Sequence, residues 1–202
     1  FFNALQTLRQ LVVRKDGVYE IAQCLIRDEP AFEVRGVMLD VGRNFASVDF
    51  IKRLVRRLSH YKINLLHLHL TDDPGWRIEI NRHPELTDSI GFWKTRQPGK
   101  YYTQQELKEL VGYCAALNIR TMPLDEIVPL FPDPWFHIGS DEVHFKMDNF
   151  MPDMIRYMRD KGKEVVVWYP GFIPDSDAIR MCWGENEAGH TLDKSARYID
   201  SN

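Results

Sequence analysis

Apolar residues recur at helical spacing in the first stretch of the chain, with Leu5, Leu8, Leu11 and Val12 on one side. Lys15-Asp16-Gly17 predicts the stop of that helix. Tyr19–Ile26 predicts a short strand, and Asp28-Glu29-Pro30 a break. From there strands and helices alternate. Val34–Leu39 reads as a strand ending at Asp40. Ser47 then opens a helix with Phe50, Ile51, Leu54, Val55, Leu58 and Tyr61 inward. Its opposite face carries Lys52, Arg53, Arg56 and Arg57, which reads as a solvated face rather than a phosphate patch. Leu65–Leu70 is the next strand, ending at Thr71-Asp72-Asp73. Thr103-Gln104-Gln105-Glu106 is a capping box, opening a helix with Leu107, Leu110, Val111, Cys114 and Leu117 inward. Strands follow at Ile119–Met122 and Phe136–Ile138. Phe150, Met151, Met154, Ile155 and Met158 then form a helical stripe that stops near Gly162, the methionines reading as core. Val165–Trp168 and Ala178–Trp183 are further strands, and Arg197–Ile199 starts another.

Near-continuous apolar strands alternating with helices imply an α/β fold, a parallel sheet covered by helices. Polar residues gather at the strands' C-terminal ends: Asp40, Asp72, Asp73, Asp141, Glu142 and Asp200. A (β/α)8 TIM barrel keeps its active site at that end. A doubly wound sheet is the competitor, but no Gly-rich phosphate loop follows the first strand. The pattern supplies about seven of the eight strands a barrel needs.

Composition narrows the class further. The chain has 202 residues, a formal net charge of −3 and 44% hydrophobic content, enough for a core and within the single-domain range. That charge is not basic enough to suggest a nucleic-acid partner, nor acidic enough to suggest disorder. No apolar run is long enough to span a membrane. No signal peptide is visible, although Phe1 is not a natural start and the chain looks trimmed. Cys24, Cys114 and Cys182 fit no zinc spacing and cannot all pair internally, so they read as small buried hydrophobes. The aromatic content suits sugar stacking, although such rings more often build core.

The chemistry concentrates in Phe136-His137-Ile138-Gly139-Ser140-Asp141-Glu142-Val143. A short apolar run there delivers two carboxylates side by side. Acids at a buried strand end must be solvated, paired or protonated. Acid/base work on a glycosidic bond is the best fit. Around this pair, Arg35-Gly36-Val37-Met38-Leu39-Asp40-Val41-Gly42-Arg43-Asn44-Phe45 resembles the opening barrel strand of family 20 glycoside hydrolases, the β-N-acetylhexosaminidases. His67-Leu68-His69-Leu70-Thr71-Asp72-Asp73-Pro74-Gly75-Trp76-Arg77 resembles their second strand and loop, and His137–Glu142 their catalytic-pair motif. Val165–Trp168 and Tyr198-Ile199-Asp200 resemble later strand ends, in order. Residues 1–30 resemble the end of the small α/β domain that precedes the barrel, which leaves 31–202 as the catalytic barrel.

The sequence also departs from the family. Ser140 stands where a second Gly is usual, Asn44 where His is common, and Leu68 where Trp is common. After Pro123 the family continues into Pro-Gly-His, a long loop and a helix. Here Leu124–Phe131 follows at once and resembles the end of that helix. A parallel crossover needs about a dozen residues or more. The reading is therefore an incomplete barrel, with a segment missing after Pro123 and no C-terminal strand after Asn202.

The resemblance implies an exo-acting, retaining hydrolase of terminal β-linked GlcNAc or GalNAc, in which the substrate's own 2-acetamido group is the nucleophile. Glu142 would be the general acid and base, and Asp141 would orient the acetamide and stabilise its developing charge. Arg43 would hold sugar hydroxyls, or pair with Asp40 or another strand-end acid, and both can hold together. Trp168 and Trp183 would wall the acetamido pocket. Tyr198 would donate to the acetamide oxygen, and Asp200 would bind a hydroxyl. Asp72, His69 and His137 would support these groups. His60, His83, His144 and His190 read as ordinary surface or loop residues.

No cofactor and no metal are implied, and the partner is an N-acetylhexosamine-terminated glycan. His67 and His69 share a strand face, so His67, His69 and Asp72 form a competing metal-hydrolase reading. A lacto-N-biosidase-like or sulfated-GlcNAc-preferring relative would use the same machinery. A non-catalytic carbohydrate-binding protein of this fold would have no need of Glu142. Oligomeric state stays open, and the substrate class points to a secreted, cell-surface, periplasmic or lysosome-like setting.

Overall fold

A computed structural model describes residues 1–72, 74–88, 92, 97–122, 132–139, 150–169, 178–182 and 196–200. It divides into two units, Phe1–Thr121 and Met122–Asn202.

The first unit opens with helix α1 (Phe2–Leu11), followed by β1 (Val13–Lys15) and β2 (Val18–Glu20). These two strands pair antiparallel as a hairpin. Here the structure corrects the expectation of a helix stop and a strand over Tyr19–Ile26. Asp16 and Gly17 both adopt positive φ, +50° and +84°. That Asp-Gly pair closes a two-residue hairpin whose twist suits the strands beside it. The apolar side of α1 is not its buried side. Leu5, Leu8 and Val12 are exposed, and Gln6 is the buried residue.

Strand β3 (Gly36–Asp40) pairs in parallel with β4 (Leu65–His69), so that Asp40 lies opposite His69. Helix α2 (Val48–His60) connects them. Its N-cap is Ser47, whose hydroxyl accepts from the Phe50 N–H. Ile51 and Val55 are buried as the periodicity predicts, whereas Phe50 and Tyr61 are exposed. Beyond β4, β5 (Thr71–Asp72) and β6 (Gly75–Trp76) make a small antiparallel hairpin. Helix α3 (Gln104–Ala116) carries the complete capping box. It buries Leu107, Leu110, Val111 and Cys114, and leads to β7 (Arg120–Met122). The sheet order is β3-β4-β7. Leu65 to Leu68 are all buried, as expected of a strand covered on both faces.

The second unit contains β8 (Trp135–His137), α4 (Phe150–Asp160), β9 (Glu164–Tyr169), β10 (Ile179–Cys182) and β11 (Tyr198–Asp200). The four strands form one sheet, with β8, β9, β10 and β11 neighbours in chain order and every pairing parallel. Met151, Ile155 and Met158 of α4 pack with Phe136, Val165, Val167 and Ala178 in one core cluster, so the methionine stripe is core. Among the described residues, no helix is long and apolar enough to cross a membrane.

Candidate active site

In the first unit the site forms where β3 and β4 end. Asp40 closes β3, and the chain turns through Val41-Gly42-Arg43. The Gly42 N–H donates to the His69 carbonyl at 2.9 Å, which binds this turn to the end of β4. A Cβ on Gly42 would lie 3.1 Å from Asp72 Cβ and 3.2 Å from Asp72 N, so only a glycine allows this approach without displacement. Arg43 Nη1 reaches Asp40 Oδ2 at 2.6 Å, and Nη2 reaches Asp72 Oδ2 at 2.9 Å. The Arg43 backbone N–H also donates to Asp40 Oδ1. His69 Nδ1 sits 3.4 Å from Asp40 Oδ1 and 3.7 Å from Asp72 Oδ2.

Burial pushes the Asp40 carboxyl up. The Arg43 N–H, its guanidinium and His69 outweigh that and hold it below the usual carboxylate range. Asp40 is therefore ionised at neutral pH. Arg43 remains half exposed while the carboxylates it bridges are largely covered. A guanidinium offers its donors in a fixed fork, so it can hold two carboxylates and still donate to vicinal hydroxyls.

The competing metal reading changes its membership. Ligand atoms of Asp40, His69 and Asp72 lie within 4.8 Å of one another, with Asp40 in the place expected for His67. Both carboxylates are already paired with Arg43, so an ion there would compete with a guanidinium at hydrogen-bond distance. The donor set fits a cation, and Arg43 supplies it.

In the second unit, His137 and Trp168 meet as neighbours on β8 and β9, ring centroids 4.4 Å apart. The Gly139 N–H donates to His137 Nδ1 at 3.0 Å, and Gly139 O accepts from Trp168 N at 3.0 Å. His137 therefore accepts through Nδ1, which places the ring proton of its neutral form on Nε2. Trp168 is buried against this histidine. Tyr198, opening β11, accepts a hydrogen bond at 2.8 Å from Arg180 of β10. The Arg180 guanidinium also lies over the Tyr198 and Tyr169 rings, 5.5 and 5.9 Å from their centroids. A phenol that accepts from a guanidinium directs its own proton elsewhere, so it is set up to donate. Asp200 is exposed at the end of β11, opposite Cys182.

Asp141, Glu142, Trp183 and Asp73 lie outside the described residues. Arg43, Asp72 and His69 lie together in the first unit, and His137 and Trp168 in the second. The sequence reading assigned no role to Arg180 or Arg77. The partners of these residues are a phenol on the next strand and carbonyls remote in sequence, and neither leaves a periodic signal.

Carboxylates and an arginine at the ends of adjacent parallel strands are the layout of a barrel enzyme's active face. Residues 32–123 match the catalytic domain of glycosyl hydrolase family 20. A β-hexosaminidase of Vibrio furnissii is 43% identical over 176 residues, covering 77% of this chain and 28% of its own length. A β-N-acetylhexosaminidase of Cellulomonas fimi is 30% identical, covering 82% of this chain and 45% of its own. Among solved structures, the family 20 β-N-acetylhexosaminidase of Streptomyces coelicolor A3(2) superposes with a TM-score of 0.83 at 27% identity. That match covers 99% of this chain and 56% of the other. A mutant Streptomyces plicatus β-hexosaminidase in complex with its product GlcNAc gives a TM-score of 0.81 at 28% identity, covering 99% and 55%. The chain belongs to glycosyl hydrolase family 20. Its fold class is that family's (β/α)8 barrel, seen here as an α/β fragment with parallel sheets. The chain spans less than half the length of the curated relatives it matches first.

Proposed function

We propose that this protein is an exo-acting β-N-acetylhexosaminidase, hydrolysing terminal β-linked GlcNAc or GalNAc with retention of configuration. Residues 1–30 are then the end of a small α/β domain ahead of the catalytic barrel. The observation that carries the reading is Arg43, half exposed and bridging Asp40 at the end of β3 to Asp72 of β5, just beyond β4. A fixed guanidinium fork at that position suits the vicinal hydroxyls of a terminal sugar. Family membership and the names of the relatives support the same substrate class.

In this mechanism the acetamide oxygen of the substrate attacks the anomeric carbon, and the leaving oxygen takes a proton from Glu142. The attack is intramolecular, so the nucleophile has a high effective concentration. Asp141 receives the acetamide N–H and stabilises the positive charge that develops there. Tyr198 donates to the acetamide oxygen, with Arg180 holding the phenol in a donating orientation. Trp168 and Trp183 keep the acetamide beneath the sugar ring, and Asp200 takes a hydroxyl. Glu142, now a carboxylate, then activates the water that opens the cyclic intermediate.

The test is release of p-nitrophenol from the β-GlcNAc, β-GalNAc and plain β-glucose glycosides by the full-length protein and its Glu142→Gln variant. The reading expects cleavage of the acetamido sugars alone, a fall of about 10²–10⁴-fold in the variant, and no loss to a chelator. Cleavage of the glucoside at a similar rate, or loss of activity to the chelator, would contradict it.

A further inference from the structure

Arg77 is a fully buried side chain with no part in the chemistry above. A buried charge is costly unless it is fully hydrogen-bonded. Arg77 meets this need with backbone carbonyls from two separate segments. Nε donates to Val41 O at 3.0 Å and Gly42 O at 3.2 Å. Nη1 donates to Gln97 O at 3.0 Å and Lys100 O at 2.9 Å. The Phe92 ring lies 4.9 Å from the guanidinium carbon. Gly75 makes room for this arrangement, since a Cβ there would stand 3.0 Å from Arg77 Cζ and 2.9 Å from the Phe92 ring.

Residues 41 and 42 immediately precede Arg43. On the other side of Arg43, the Phe45 N–H donates to Gln97 Oε1 at 3.0 Å. The Tyr102 hydroxyl donates to Ala46 O, and the Phe45 ring stacks on Tyr102 at 4.8 Å. The segment bearing Arg43 is thus fastened before and after it, and these contacts converge on Arg77, Gln97 and Tyr102, beside the Gly42 N–H bond to the His69 carbonyl.

We propose that Arg77 is a positioning residue for Arg43. By clamping the Val41-Gly42 carbonyls to the 97–100 segment, it fixes the turn from which Arg43 bridges Asp40 and Asp72 and presents its fork to the sugar. The inference rests on the reading of Arg43 as a sugar-binding residue. Lysine cannot replace Arg77, because a point charge on a flexible stem cannot reach both carbonyl pairs at once.

A double-mutant cycle in the full-length protein tests this. It uses R43A, R77K and the double variant, with p-nitrophenyl β-GlcNAc kinetics taken well below each unfolding midpoint. R77K is expected to lower kcat/KM by about 10- to 100-fold, as a displaced binding group would. The double variant is expected to be no worse than R43A within about threefold, since the two residues act as one unit. Effects that multiply in the double variant would overturn the proposal. So would an R77K protein that loses thermal stability but keeps its kcat/KM. If R77K does not fold, Y102F removes only the hydroxyl's bond to Ala46, and the same coupling to R43A is expected of it; multiplying effects there would overturn the proposal. A fully active R43A would overturn the sugar-binding reading and the inference together. An impaired R43A beside an unimpaired R77K would overturn the inference alone.

Discussion

His67 and His69 stand on the same face of β4 but meet different surroundings. His69 is partly exposed and lies beside Asp40 and Asp72. His67 is buried, and burial together with the nearby His69 pushes its pKa down from 6.5 to about 3, against a smaller upward pull from Asp40. His67 is therefore neutral in the folded protein across the physiological range, whereas in the unfolded chain it takes a proton near pH 6.5. The sign follows from proton counting: the stability this residue permits is complete above pH 6.5 and is lost as pH falls toward 3. At pH 5 the loss is about 2 kcal/mol. Thermal melts from pH 7 to 5 should decline more steeply for the native protein than for H67Q, and equal slopes would contradict the assignment. The sequence placed both histidines on one strand. It could not separate their roles, because burial depends on what packs over each ring.

At the scale of elements, the capping box of α3 is the clearest case in which local sequence and structure agree. Thr103 Oγ1 accepts from the Glu106 N–H at 3.1 Å, and the Thr103 N–H donates back to Glu106 Oε2 at 2.8 Å. The motif was legible because every group in it lies within one turn. Thr103→Ala should lower the unfolding free energy by about 1 kcal/mol, read from the denaturant midpoint at constant slope. A variant as stable as the parent would mean that the cap is satisfied in another way. The β1–β2 hairpin shows the opposite outcome. Its Asp16-Gly17 turn is a strong short-range signal, but the flanking strands are brief and exposed, so no apolar alternation marked them. The same limit explains Phe50 and Tyr61, which have the right period for the inner face of α2 and still face solvent. Periodicity gives a direction around the helix, and only the neighbouring elements decide how far cover extends.

At the scale of the molecule, the alternation of strand and helix was enough to read the barrel class, because buried parallel strands cannot be made from other patterns so economically. The division between the two units falls within β7. Strand-end carboxylates were the sequence signal for the candidate site, and the structure places Arg43, Asp72 and His69 together there. The clamp around Arg77 left no such mark, since a carbonyl has no residue identity to read. The central claim is that the nucleophile belongs to the substrate. It is tested most directly by comparing kcat/KM for p-nitrophenyl glycosides whose acetamide carries zero, one, two or three fluorines. Fluorination drains the carbonyl oxygen of electrons and barely changes its size. The account predicts a steep fall in rate with each fluorine, whereas a flat series would mean that a protein carboxylate attacks instead.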